Sequence, residues 1–100
     1  MQIGPMSHID VLARHTMTRE DAQSAADELA RDLAGKFDIE YGWEGDHIHF
    51  ERHGVNGRIT VRDGEIRVKA RLGFMLMFLK PQIESEITRY LEHHFGCTID

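Results

Sequence analysis

Between positions 38 and 72 apolar and polar residues alternate with a period of two, broken at Gly45-Asp46, His53-Gly54 and Asp63-Gly64. Strict alternation reads as half-buried strands, and three evenly spaced turn signals divide the stretch into four of them. Asp-Gly is the strongest signal, because a type I′ hairpin requires positive φ at both central positions. With two residues in each loop the register can be written out. Val61 then faces Ile66, Ile59 faces Val68 and Gly57 faces Ala70; Phe50 faces Gly57 and Ile48 faces Ile59; Trp43 faces Ile48 and Tyr41 faces Phe50. Opposed residues share a face, so three independent turns gather the apolar side chains on one side of an antiparallel meander. Arg52 is the exception, opposite Ile39 and Val55 at a strand end, where it is expected to bend to the rim.

Helical spacing flanks the meander on both sides. His8 to His15 alternates around Ile9, Val11 and Ala13 and predicts a first strand. Thr18 then opens a helix, its hydroxyl placed to accept from the Asp21 amide while Glu20 and Asp21 complement the positive helix end. Ala22, Ala25, Ala26, Leu29 and Leu33 form a stripe narrow enough for close approach to a sheet, and Gly35 is the expected left-handed stop. After Gly73 the run Phe74 to Leu79 leads to Lys80 and Pro81, and Ile83, Ile87, Tyr90, Leu91 and His94 continue a second helix to Gly96. Residues 1–6 read as a loose leader, residues 7–96 as a single domain, and residues 97–100 as a tail that should fray. The predicted class is α+β in two layers, β-α-β-β-β-β-α: a four-stranded antiparallel meander plus an N-terminal strand, with two helices on one face.

Length narrows the choices further. One hundred residues that are 41% hydrophobic and 29% charged make one small globular domain, too small for a deep enzyme scaffold. The formal charge of −5 argues against nucleic acid as a partner, since cationic side chains supply most non-specific affinity for phosphate backbones. Protonating all seven histidines would turn −5 into +2, so the surface changes character at mildly acidic pH. Phe74 to Leu79, the longest apolar run, is far shorter than the ~18 residues of a membrane span. The single Cys97 has no internal partner and no signal-peptide pattern is visible, so a reducing, cytoplasmic compartment is expected.

The same register dictates the polar face. Its cross-strand rows read Glu40, Glu51, Asn56, Arg71; then Gly42, His49, Arg58, Lys69; then Glu44, His47, Thr60, Arg67. Carboxylates fall on the first two strands and cations on the last two. Two direct neighbours, Glu40 with Glu51 and Arg58 with Lys69, are like-charged and repel, and an anion held by His49, Arg58, Arg67, Lys69 and Arg71 would relieve the cationic pair. Acyl-coenzyme A is a ligand of fitting chemistry; the plainer reading is a solvated face with diagonal ion pairs. His47, His49 and Glu51 share one side of one strand, a spacing compatible with a divalent metal, but no cysteine partner or helical His-Glu-x-x-His accompanies them, and no metal or cofactor is expected. Ser7, Ser24 and Ser85 lack a nucleophile elbow and no glycine-rich phosphate loop exists, so the chain does not read as an enzyme. Gly57 and Ala70 either leave a hollow for an apolar ligand or are filled by a cross-strand aromatic. Within Phe74 to Leu79 a helix packed on a sheet cannot bury every side chain. If Leu76 and Leu79 face inward, then Phe74, Met75, Met77 and Phe78 offer an adaptable surface to a partner, a second copy or a hydrophobic particle; the other reading tucks the segment under the sheet's end.

Ala22 to Phe37, Trp43-Glu44-Gly45-Asp46, Phe50-Glu51-Arg52, Gly54-Val55, Gly57, Leu72-Gly73 and Leu79-Lys80-Pro81, followed by Ile83-Glu84 and Tyr90-Leu91, carry a resemblance. Over about residues 7 to 96 the chain resembles the polyhydroxyalkanoic acid system protein family. The resemblance implies a small bacterial protein associated with storage-polyester synthesis and granules, and brings no catalytic residues with it. Two function classes follow: a non-enzymatic accessory protein presenting Phe74 to Phe78 to a polyester granule or granule protein, or an anion or acyl-coenzyme A binding module using the cationic strands.

Overall fold

The computed structural model describes residues 7–100, so the expected leader lies outside the described part. The order is β1 (Ser7–Arg14), α1 (Arg19–Phe37), β2 (Glu40–Glu44), β3 (His47–Arg52), β4 (Val55–Arg62), β5 (Glu65–Leu72), a 3₁₀ helix (Phe74–Leu79), α2 (Lys80–Phe95) and β6 (Thr98–Ile99). This is the expected α+β succession with a short strand added at its end. The six strands form one sheet in the order β2-β3-β4-β5-β1-β6, with every neighbour antiparallel. All seven cross-strand pairs derived from the two-residue loops are present, from Tyr41 opposite Phe50 to Gly57 opposite Ala70. β1 closes onto β5, placing Asp10 opposite Lys69 and His8 opposite Arg71.

Helix α1 packs over β2, β3 and β4, and α2 packs over β1 and against α1. Ala22, Ala25, Ala26, Leu29, Ala30 and Leu33 are all buried, because small side chains let the α1 backbone approach the sheet. The hollow considered at Gly57 is filled. A Cβ on Gly57 would stand 2.3 Å from Phe50 Cζ, so the buried Phe50 ring lies across the glycine.

Three local expectations are corrected. Gly64 has φ 80° while Asp63 keeps an ordinary φ, so this turn is not type I′; the Asp63 carboxylate instead accepts from Arg19 at 3.0 Å. Helix α1 does not stop at Gly35. It runs to Phe37, whose ring joins the core, and Asp38 takes the left-handed cap conformation at φ 59°. Arg52 explains that ending: its guanidinium donates to the Phe37 carbonyl at 2.9 Å, placing a cation on the negative end of the helix. Finally, residues 97–100 do not fray. Left-handed Gly96 turns the chain, Cys97 is buried, Thr98 and Ile99 pair with Arg14 and Ala13, and the Asp100 amide donates to the Leu12 carbonyl at 2.9 Å. Burial pushes the Cys97 thiol above its usual range.

Candidate functional site

The sheet buries one face and leaves the other open, and the open face carries the predicted charge gradient. β2 and β3 contribute Glu40, Glu44 and Glu51; β4 and β5 contribute Arg58, Arg67, Lys69 and Arg71. Arg58 and Lys69 are direct partners across the β4–β5 ladder, as the register required. The five expected anion ligands are nevertheless not equivalent. Arg67 reaches across to β1 and donates to both oxygens of Asp10, at 3.0 and 3.2 Å, which holds the Asp10 carboxyl below the usual range. His49 Nε2 lies 2.9 Å from Glu51 Oε1. Arg58, Lys69 and Arg71 form no salt bridge with a described residue. They line an open groove of about 470 Å³ together with His8, Asp10, His49 and Asn56.

The second surface begins where β5 ends. The chain from Phe74 to Leu79 winds as a 3₁₀ helix, whose three residues per turn stack side chains in three columns. One column, Leu76 and Leu79, packs against the core. The other two face outward: Phe74 is 61% exposed, Met75 77%, Met77 37% and Phe78 68%. The tighter winding thus leaves two columns without cover where an α-helix would present one broad stripe. The segment is seated on the β3–β4 hairpin, since Leu76 Cδ1 lies 2.8 Å from where a Gly54 Cβ would be and the Gly73 amide donates to the Gly54 carbonyl at 2.9 Å.

The candidate metal residues do not converge. His47 sits 3.5 Å from Glu44 and 3.6 Å from Asp46 in the β2–β3 hairpin, while His49 turns to Glu51. Among the described residues no three His, Cys, Asp or Glu side chains are arranged to hold a metal ion. Two features escaped the sequence reading. Buried His15 bridges β1 and the β4–β5 turn: its Nδ1 accepts from the Met17 amide at 3.0 Å and its Nε2 faces the Arg62 carbonyl at 3.2 Å. Asp32 and Glu86 meet between the helices beside Lys36, which lies 2.6 Å from Glu86 and 3.5 Å from Asp32. Burial and the neighbouring Glu86 carboxylate raise the Asp32 pKa, while the adjacent Asp32 carboxyl and the Lys36 ammonium lower that of Glu86. Neither feature has a sequence signature, since each depends on which side chains the helices and turns bring together.

Among the described residues no helix is long and apolar enough to cross a membrane. No curated protein matches the chain. One solved structure, the de novo designed protein Ferredog-Diesel, is similar at 22% identity over 94% of this chain and 82% of its own, with a TM-score of 0.47. A family model described as "Putative polyhydroxyalkanoic acid system protein" matches residues 9–95, from the first strand to the last turn of α2. The chain therefore belongs to the polyhydroxyalkanoic acid system protein family.

Proposed function

We propose that this protein is a non-enzymatic accessory of polyhydroxyalkanoate metabolism in the bacterial cytoplasm, adsorbing to the storage-polyester surface through Phe74, Met75, Met77 and Phe78. The observation that carries the reading is the concentration of four exposed large apolar side chains in one uncharged six-residue segment of a chain from this family. Exposed apolar clusters of this kind mark contact sites, and unbranched methionine adapts to irregular surfaces. A polyester of aliphatic hydroxyacids is an apolar solid with ester dipoles and no fixed charge, so contact area rather than hydrogen-bond geometry would set affinity. The seat of the segment supports the same reading. Leu76 is pinned on Gly54 and Leu79 on the core, so the outward side chains are presented from a fixed base.

Co-sedimentation with purified granules tests this. The wild-type chain should pellet with granules, and Met77→Glu/Phe78→Glu should remain in the supernatant with an unchanged circular dichroism spectrum. Equal pelleting of the folded double variant would exclude the segment as the contact.

A further inference from the structure

We propose that the groove across β4 and β5 is a binding site for the diphosphate group of a small organic ligand, with Arg58, Lys69 and Arg71 as its cationic floor. The site is separate from the apolar segment, and nothing in the adsorption reading requires it.

Charge is locally unbalanced on this face. The chain carries a formal net charge of −5, yet this part of the sheet holds three cations in two adjacent rows. Directly opposed residues on one face of an antiparallel pair have Cβ atoms roughly 5 Å apart, so Arg58 and Lys69 stand as close as a register allows. Arg71 follows two residues along β5, about 6.6 Å further on. Like-charged direct partners destabilise a sheet, and this face holds two such pairs, Glu40 opposite Glu51 on its acidic side and Arg58 opposite Lys69 in the groove.

The usual remedy would be a neighbouring carboxylate, and two are within reach of these rows. Asp10 is the β1 partner of Lys69 and Glu51 is the β3 partner of Asn56. Both are occupied elsewhere. Asp10 is gripped through both oxygens by Arg67, and Glu51 is bonded to His49. Asp10 thus lines the groove with its charge already met by Arg67, Glu51 lies outside the lining, and Arg58, Lys69 and Arg71 are left without a carboxylate partner among the described residues.

Shape and donor chemistry then choose the ligand class. Lys69 offers an ammonium point charge, while Arg58 and Arg71 offer planar forks suited to paired phosphate oxygens. The side-chain amide of Asn56 adds a neutral hydrogen-bonding group in the row of Arg71. Two adjacent phosphoryl groups joined by one bridging oxygen would span Arg58 and Lys69 and extend toward Arg71. A single carboxylate brings one negative charge to three cations and leaves most of their repulsion in place. The groove is open rather than enclosed, so the remainder of the ligand lies along the sheet in solvent.

The test is isothermal titration of the full chain with inorganic pyrophosphate and, separately, coenzyme A. Saturable binding of both probes is expected, weakening several-fold as sodium chloride is raised, because the cations are exposed to solvent. Arg58→Ala and Lys69→Ala should each weaken binding about tenfold, the scale of one charged hydrogen bond. Arg67→Ala should also weaken binding, since it frees Asp10 to pair with Lys69 across the β1–β5 ladder, and Asp10→Asn/Arg67→Ala should restore it. The apolar-segment variant Met77→Glu/Phe78→Glu should bind both probes as the wild type does, which separates this site from granule adsorption. Amide chemical-shift changes on adding pyrophosphate should concentrate at positions 56–58 and 69–71. Binding of pyrophosphate alone, with coenzyme A excluded, would overturn an organic ligand. No saturation of either probe by about 10 mM, weaker than a millimolar site, would overturn the proposal. So would equal binding by folded Arg58→Ala and Lys69→Ala, or shift changes confined to other elements.

Discussion

Gly57→Ala adds one methyl group where the Phe50 ring lies across β4. That Cβ would lie 2.3 Å from Phe50 Cζ, 2.5 Å from Phe50 Cε1 and 2.9 Å from the Lys69 carbonyl oxygen. Carbon atoms in contact prefer about 3.5–4.0 Å, so the ring must retreat by more than 1 Å. Phe50 is only 1% exposed, so its ring moves only by displacing core neighbours. The carbonyl belongs to the β4–β5 ladder and cannot yield without disturbing strand pairing. Overpacking of this kind costs about 1–3 kcal/mol, against which alanine gains roughly 0.5–1 kcal/mol through the unfolded chain. Three contacts below 3.0 Å put the site in the upper part of the overpacking range, about 2–3 kcal/mol, so a net loss of about 1–2.5 kcal/mol follows, which lowers the thermal midpoint of a 100-residue domain by roughly 4–20 °C. Differential scanning calorimetry measures it. Phe50→Leu in the Gly57→Ala background should recover part of the loss by removing the ring edge, so the two substitutions should couple by about 1 kcal/mol. An unchanged midpoint for Gly57→Ala, or strict additivity in the double variant, would refute the packing assigned here.

Other substitutions probe separate features. Arg52→Ala removes the charged donor at the end of α1 and should cost about 1.5–2 kcal/mol in urea unfolding, with Arg52→Lys losing less. Asp32 has a folded pKa raised by burial and by Glu86, so it favours folding only below the ordinary aspartate range, and that contribution is lost as pH rises through the raised value. Asp32 Oδ2 is also buried without a hydrogen-bond partner, so Asp32→Asn should stabilise by about 0.5–1 kcal/mol at pH 7 and by nothing near pH 3, read as the midpoint against pH. Asp10 behaves oppositely: its pKa is lowered mainly by Arg67, so its contribution is present above the ordinary aspartate range and disappears as pH falls through the lowered value. Asp10→Asn should therefore flatten the acid side of the stability profile, and high salt should shrink the difference.

The parts legible in the sequence are those governed by a period of two. Each register shift of one residue would have thrown Ile48, Phe50 and Ile59 into water, so the turns at Gly45-Asp46, His53-Gly54 and Asp63-Gly64 had a single consistent solution, and the exposed face followed from it. Legibility ends where a residue's partner comes from another element. Gly35 looks like a stop from its neighbours alone, but Phe37 finds the core and Arg52 finds the last carbonyl, and together they extend the helix past the glycine. Arg67 reads as one of five cations until β1 joins β5 and supplies Asp10. The tail at Thr98 and Ile99 is too short to show a pattern and is ordered only because β1 offers an open edge. The run from Phe74 to Leu79 is uniformly apolar, so periodicity is silent on it, and the 3₁₀ winding that exposes two columns depends on the seat at Gly54.

The open edge at β2 bears on self-association, because an unpaired strand is a template for a second copy. The two-fold antiparallel register that pairs all five residues, Glu40 to Glu44, is centred on Gly42. It sets Glu40 of one copy against Glu44 of the other, twice, on the same exposed face. Like charges directly opposed are destabilising, and neither carboxylate has a cation beside it on its own strand. Acidic residues thus guard this edge, whereas the apolar segment carries no charge. Replacing both carboxylates, Glu40→Thr/Glu44→Thr, should therefore raise the sedimentation coefficient with increasing protein concentration, while the wild type shows no concentration dependence through this edge. If the wild type does form dimers and Met77→Glu/Phe78→Glu dissolves them, the copies meet through the apolar segment, and granule adsorption must compete with that contact. If the threonine variant sediments as the wild type does, the two glutamates are not what keeps the edge unpaired.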